Sequence, residues 1–178
     1  QKERSHGQGP SGLSSAKRYL WDRSAAPIPW EFNKKSPSGF NPIEEITRIH
    51  VSEEGTFSHE PLSPLPQNTF SRSSFMMFMI AELISQALMQ INSPQERLSR
   101  PHSGLPRRLT KIILTIPTAT PAFEQNILRR RAKDALNYVW NIMEIPPDFT
   151  AYPKPELIIQ WDEASCSQQV FLFNEVGE

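Results

Sequence analysis

The spacing of apolar positions changes repeatedly along the chain, and each change predicts an element. Ile46-Thr47-Arg48-Ile49-His50-Val51 alternates with period two, which predicts a strand, with Glu53-Glu54-Gly55 as its turn. A companion strand around Thr56–Ser58 stays open. Pro61, Pro64 and Pro66 then impose an extended connection. Met76, Ile80, Leu83, Ile84, Ala87, Leu88 and Ile91 recur at helical spacing, with Ser73 or Ser74 as N-cap and Asn92-Ser93-Pro94 as the stop. A polar loop is expected from Pro94 to Pro106.

The most informative stretch is Arg108–Glu163. Leu109 to Ile116 is a β-branched run ended by Pro117, and its nearly unbroken apolar character predicts a strand covered on both faces. An amphipathic helix is expected from about Pro121 to Met143. Thr120 would be its cap and Pro121 its first residue, with Glu124 against the positive helix end. Leu128, Ala132, Ala135, Leu136, Val139 and Met143 mark its buried face. After the Pro146–Pro155 loop, Leu157-Ile158-Ile159-Gln160-Trp161 reads as a second strand and closes on Asp162-Glu163. A further helix is preferred from Glu163 to the end, with strand at Val170–Phe173 as the alternative. Strand, helix, strand in that order favours a parallel pair joined by a right-handed crossover. Both strand ends then lie on one edge, where open α/β sheets bind ligands.

The fold class expected is therefore α/β, a strand–helix–strand core preceded by an irregular region. Residues 1–45 form that region, rich in Ser, Gly and Pro, with aromatic islands at Tyr19-Leu20-Trp21 and Trp30-Glu31-Phe32 as packing anchors or partner contacts. Residues 46–178 form the α/β domain. A chain of 178 residues can bury a core of its own, and its start at Gln1 and stop after an amphipathic run suggest a segment of a longer protein. Its own remaining chain would then be its first partner, with protein partners beyond it.

Charge and candidate chemistry narrow this picture. A formal net charge of zero gives no global pull toward nucleic acid, anionic membrane or acidic substrate. The apolar run from Phe75 to Ile91 is interrupted by Glu82, Gln86 and Gln90, so its fully apolar part is shorter than the ~20 residues a span needs, and a core helix is expected. Arg129-Arg130-Arg131 with Lys133 would fan across about 200° of helix surface, because each residue advances ~100°. A solvated face accounts for that pattern better than a phosphate-tracking stripe, and no nucleic acid is expected as a partner. His6, His50, His59 and His102 sit in unrelated segments, so no metal site is expected. Cys166, the single cysteine, excludes an internal disulfide and lacks a His partner. Asp162 and Glu163 could hold a divalent ion or orient a water, or could cap the next helix; both readings stand open. Thr118 and Thr120 share their edge, where turn and cap roles are the simpler account. No Gly-rich phosphate loop occurs.

Three groups of residues carry a family resemblance. Gly12 to Asp22 (Gly-Leu-Ser-Ser-Ala-Lys-Arg-Tyr-Leu-Trp-Asp), Ile113 to Pro117 with Arg129-Arg130-Arg131, and Trp161-Asp162-Glu163-Ala164-Ser165-Cys166 together resemble the SrfB family of bacterial virulence-associated proteins. Members of that family are much longer. The same strand–helix–strand is similar to part of the actin-like (ribonuclease H-like) ATPase fold of actin and the large heat-shock chaperones. Ile116-Pro117, Glu124-Gln125 and Asp162-Glu163-Ala164-Ser165-Cys166 stand where those chaperones carry Val-Pro, Gln-Arg and Asn-Glu-Pro-Thr-Ala-Ala.

The resemblance implies that Glu163 is the catalytic residue near metal-bound phosphates, helping to position water, with Asp162 and Thr118 lining the cofactor cleft. ATP and Mg2+ are its implied cofactors in the full-length protein, with none expected for this segment alone. The chain lacks the Asp-x-Gly-Thr phosphate loop, the second Gly-rich loop and the adenosine-binding part. It would thus form one wall of a nucleotide cleft, or a non-catalytic interaction protein that keeps the fold. The implied setting is the bacterial cytoplasm, with export left open.

Overall fold

A computed structural model describes residues 15–27, 47–63, 69–145 and 152–176. Two long helices organise it. Helix α1, Ser74–Ile91, is followed by the short α2, Pro94–Leu98. Strand β1, Lys111–Ile113, leads through helix α3, Ala122–Ile142, to strand β2, Glu156–Ile158, and helix α4, Glu163–Val176. A single 3-10 turn at Ala16–Tyr19 precedes them. Among the described residues the architecture is mixed α/β, helix-rich, with a small two-stranded parallel sheet.

The core lies between α1 and α3. Helix α1 contributes Met76, Met77, Ile80, Ala81, Ile84 and Leu88. Helix α3 contributes Leu128, Ala132, Ala135, Leu136 and Val139, and its two fully enclosed alanines let the helices approach closely. Each buried Ile or Leu adds about 1.5–3 kcal/mol relative to exposure. Of the expected α1 stripe, Met76, Ile80, Ile84 and Leu88 are buried, Ala87 and Ile91 are half-buried, and Leu83 faces solvent. By length and composition α1 is the one described helix apolar enough to cross a membrane, yet its buried stripe is spent on this core.

Several expectations need correction. The period-two segment at Ile46–Val51 is helical at residues 47–50, and the Val51 amide donates to the Thr47 carbonyl at 2.9 Å. Only Val51 behaves as strand, in an isolated antiparallel bridge to Phe57 across the Gly55 turn. The Thr47 hydroxyl lies 2.6 Å from the buried Tyr138 hydroxyl, a tertiary contact that local alternation does not encode. The Pro94–Pro106 loop begins with a helix, because Pro94 suits its first turn and the Ser93 side chain accepts from the Glu96 amide.

The long strand expected at Leu109–Ile116 shrinks to three residues, and Ile113 is 58% exposed rather than covered. The ladder is broken by one extra residue in the second run. Leu114 donates to Ile158, but two positions later Ile116 donates to Trp161, three positions on. Such a bulge interrupts pairing, which resumes at the Ile116–Asp162 bridge.

Helix α3 matches its expected span to within a residue at each end, but its cap is Pro121 and no side chain caps it. Thr120 serves instead through its carbonyl, which accepts from the Gln125 side chain. Met143 is outside the buried face. Arg131, expected on a solvated face, is 1% exposed, while Arg129 and Arg130 do face solvent. The aromatic island at Trp30-Glu31-Phe32, Pro64, Pro66 and residues 146–151 fall outside the described residues.

Candidate functional site

The parallel register places Lys111 beside Glu156, Ile112 beside Leu157 and Ile113 beside Ile158. After the bulge, the Glu163 amide donates to the Ile116 carbonyl at 2.9 Å. Both strand ends therefore open on the same edge, and Thr118, Asp162 and Glu163 come together there.

Asp162 spends its carboxylate on helix α4. The Ser165 amide donates to Oδ1 at 2.8 Å and the Ser165 hydroxyl to Oδ2 at 2.6 Å. The Thr118 hydroxyl adds a longer bond to Oδ1 at 3.3 Å. These donors, the Ser165 hydroxyl and amide foremost, hold the carboxyl below the usual Asp range of about 3.8. The capping account of Asp162 is thus realised, and Thr118 ties the end of the first strand to the same carboxylate.

Glu163 faces a cation from the irregular N-terminal region. Lys17 Nζ lies 2.5 Å from Glu163 Oε1, with both side chains partly open to solvent. Lys17 is the residue sequence reasoning missed here. It lies 146 positions away, on the turn whose Ala16 and Leu20 enter the core. The period of that turn's buried residues, four apart with Lys17 between them, was the only local signal.

The second missed constellation is buried beneath α1. The Arg131 guanidinium donates from Nε to Ser73 Oγ at 3.3 Å and from Nη1 to Thr56 Oγ1 at 3.4 Å. Asp134, one helical turn on, lies 3.9 Å from it. Burial pushes the Asp134 carboxyl up, with the Phe57 backbone and Arg131 opposing, and burial likewise lowers Arg131. Gly55 closes the cluster at φ +82°, where an added Cβ would meet Ser74 Cα and Cβ at 2.6 Å. An Arg and Asp three apart, in phase with Leu128 and Ala135, is the pattern that could have found this pair.

Cys166 is half-buried and free. Among the described residues no cluster of three or more His, Cys, Asp or Glu could hold a metal ion. The strand edge brings together the Thr118 hydroxyl, the Asp162 and Glu163 carboxylates and the N-terminus of α4, with Asp162 taken up by Ser165 and Thr118 and with Glu163 paired to Lys17.

Comparison with known proteins adds one match. A family model described as virulence factor SrfB matches residues 1–178. No curated protein matches the chain, and neither does any solved structure.

Proposed function

Because the chain belongs to the SrfB virulence factor family, we propose that it serves bacterial virulence as one wall of an actin-like ATP-binding cleft in a longer protein. The observation that carries this reading is the parallel pair resuming at Ile116–Asp162, which delivers Thr118, Asp162 and Glu163 to one edge. Bound Mg-ATP would supply the phosphoryl group to be transferred. The chain's own residues would do the positioning on which such reactions depend. Glu163 would orient a water, and Asp162 and Thr118 would shape the wall that faces the nucleotide. Asp162 does this at second hand, by holding the first turn of α4 in place through Ser165. Calorimetric titration of the full-length protein with Mg-ATP tests the reading, which requires saturable one-to-one binding; no heat of binding contradicts it.

A second reading has its own observation. Glu163 is already neutralised by Lys17, and Asp162 is already a cap, so the edge is satisfied without a ligand. In that reading the protein keeps the fold for protein–protein contact and has lost nucleotide turnover.

A further inference from the structure

A concavity of about 620 Å³ lies between α3 and the β2 segment and involves none of the acids at the strand edge. Arg129, Lys133, Leu136 and Asn137 face it from the helix, spaced as one helical face. Lys154, Leu157, Ile159 and Gln160 close it from the other side. Among the described residues its lining thus carries three cations and no carboxylate, above an apolar floor.

The cations are unevenly satisfied. Arg129 is held by the Ile159 carbonyl at 3.4 Å and by the Gln125 and Asn126 side chains. Lys154 donates to Asn137 Oδ1 at 2.9 Å, a neutral acceptor that leaves its charge unpaired. Burial lowers the Lys154 ammonium, and the nearby Lys133 lowers it further. Two like charges share the concavity with no counterion among the described residues, and an anion seated between them would relieve that repulsion.

We propose that this concavity binds a small organic anion with an apolar body, its acid group between Lys133 and Lys154 and its body on Leu136, Leu157 and Ile159. The volume lies within the range of small-molecule sites and is far larger than a bare inorganic ion requires. Among the described residues no aromatic ring lines it, so they offer no stacking platform for a nucleic-acid base. A few convergent polar groups over an apolar floor are what such ligand sites present.

Fluorescence titration with 8-anilinonaphthalene-1-sulfonate, set beside its uncharged analogue N-phenyl-1-naphthylamine, tests the assignment. The sulfonate is expected to saturate at one site per chain and to bind about tenfold more tightly than the neutral compound, the scale of one charge-assisted hydrogen bond. Lys133→Gln and Lys154→Gln should each weaken the sulfonate about tenfold. Arg130→Gln, on the neighbouring exposed position, should leave it unchanged, and circular dichroism confirms that each variant is folded. Equal binding of the two compounds overturns the proposal, as does sulfonate binding that survives both lysine substitutions. Since none of these residues belongs to the Asp162–Glu163 edge, either outcome leaves the ATP titration independent.

Discussion

Replacing Arg131 with Met should destabilise the protein in a strongly pH-dependent way. Methionine keeps most of the aliphatic stem in a site that is 1% exposed, so the packing loss is small. The bonds to Ser73 and Thr56 are long, at 3.3 and 3.4 Å, and each is worth about 1 kcal/mol or less. What dominates is Asp134, whose side chain is 12% exposed and would lose the guanidinium paired with it. Removing one partner of a buried pair costs about 3–5 kcal/mol, and the 3.9 Å separation argues for the lower end.

The sign of the pH dependence follows from Asp134 being an acid raised by burial. In the window between the ordinary 3.8 and the raised value, the folded state holds the extra proton, so stability grows as pH falls. Without Arg131 the raised value moves higher and the window widens. The cost of Arg131→Met should therefore be greatest at neutral pH and shrink by up to about 1.4 kcal/mol per unit as pH falls between the two folded values. Urea unfolding followed by tryptophan emission, to which the buried Trp140 contributes, measures this. Arg131→Met combined with Asp134→Asn should recover most of the loss at neutral pH. A loss that is the same at every pH, or a double variant as unstable as the sum of the singles, refutes the reasoning.

Gly55→Ala should cost about 2–4 kcal/mol in the same unfolding assay, since φ +82° strains any side chain and the Cβ would sit 2.6 Å from Ser74; a loss below about 1 kcal/mol contradicts the close approach. Asp162→Ala should lower the melting temperature and deprotect the first-turn amides of α4 in hydrogen exchange. The wild-type contribution of Asp162, whose folded value lies below 3.8, is present above that pH and fades as pH falls through the folded value. Amide protection at Ser165 that is unchanged in Asp162→Ala rules out the capping role.

What the sequence disclosed follows periodicity. The helical spacing of Leu128, Ala132, Ala135, Leu136 and Val139 located α3 closely, because local pattern and tertiary burial agree there. The parallel pairing and the helix after Glu163 followed from element order and from a strand closing on an acid. The segment from Ile46 was misread because Thr47 turns toward Tyr138, and alternation over six residues cannot register a contact 91 positions away. Arg131 was misread for a related reason: its burial depends on Ser73 and Thr56, which arrive from two other segments. At the candidate site, Thr118, Asp162 and Glu163 were legible because all sit at strand ends. Lys17 was not, since the spacing of Ala16 and Leu20 marks a packed turn but not the helix 146 positions away that it meets.

The central claim is that Glu163 stands in a nucleotide cleft, and ATP turnover by the full-length protein beside its Glu163→Gln variant tests it most directly. The account predicts saturable Mg-ATP binding in both and a turnover at least about tenfold lower in the variant, with the fold intact, as expected for loss of one positioned carboxylate. Equal turnover in the two proteins, or a wild type that neither binds nor hydrolyses Mg-ATP, contradicts it.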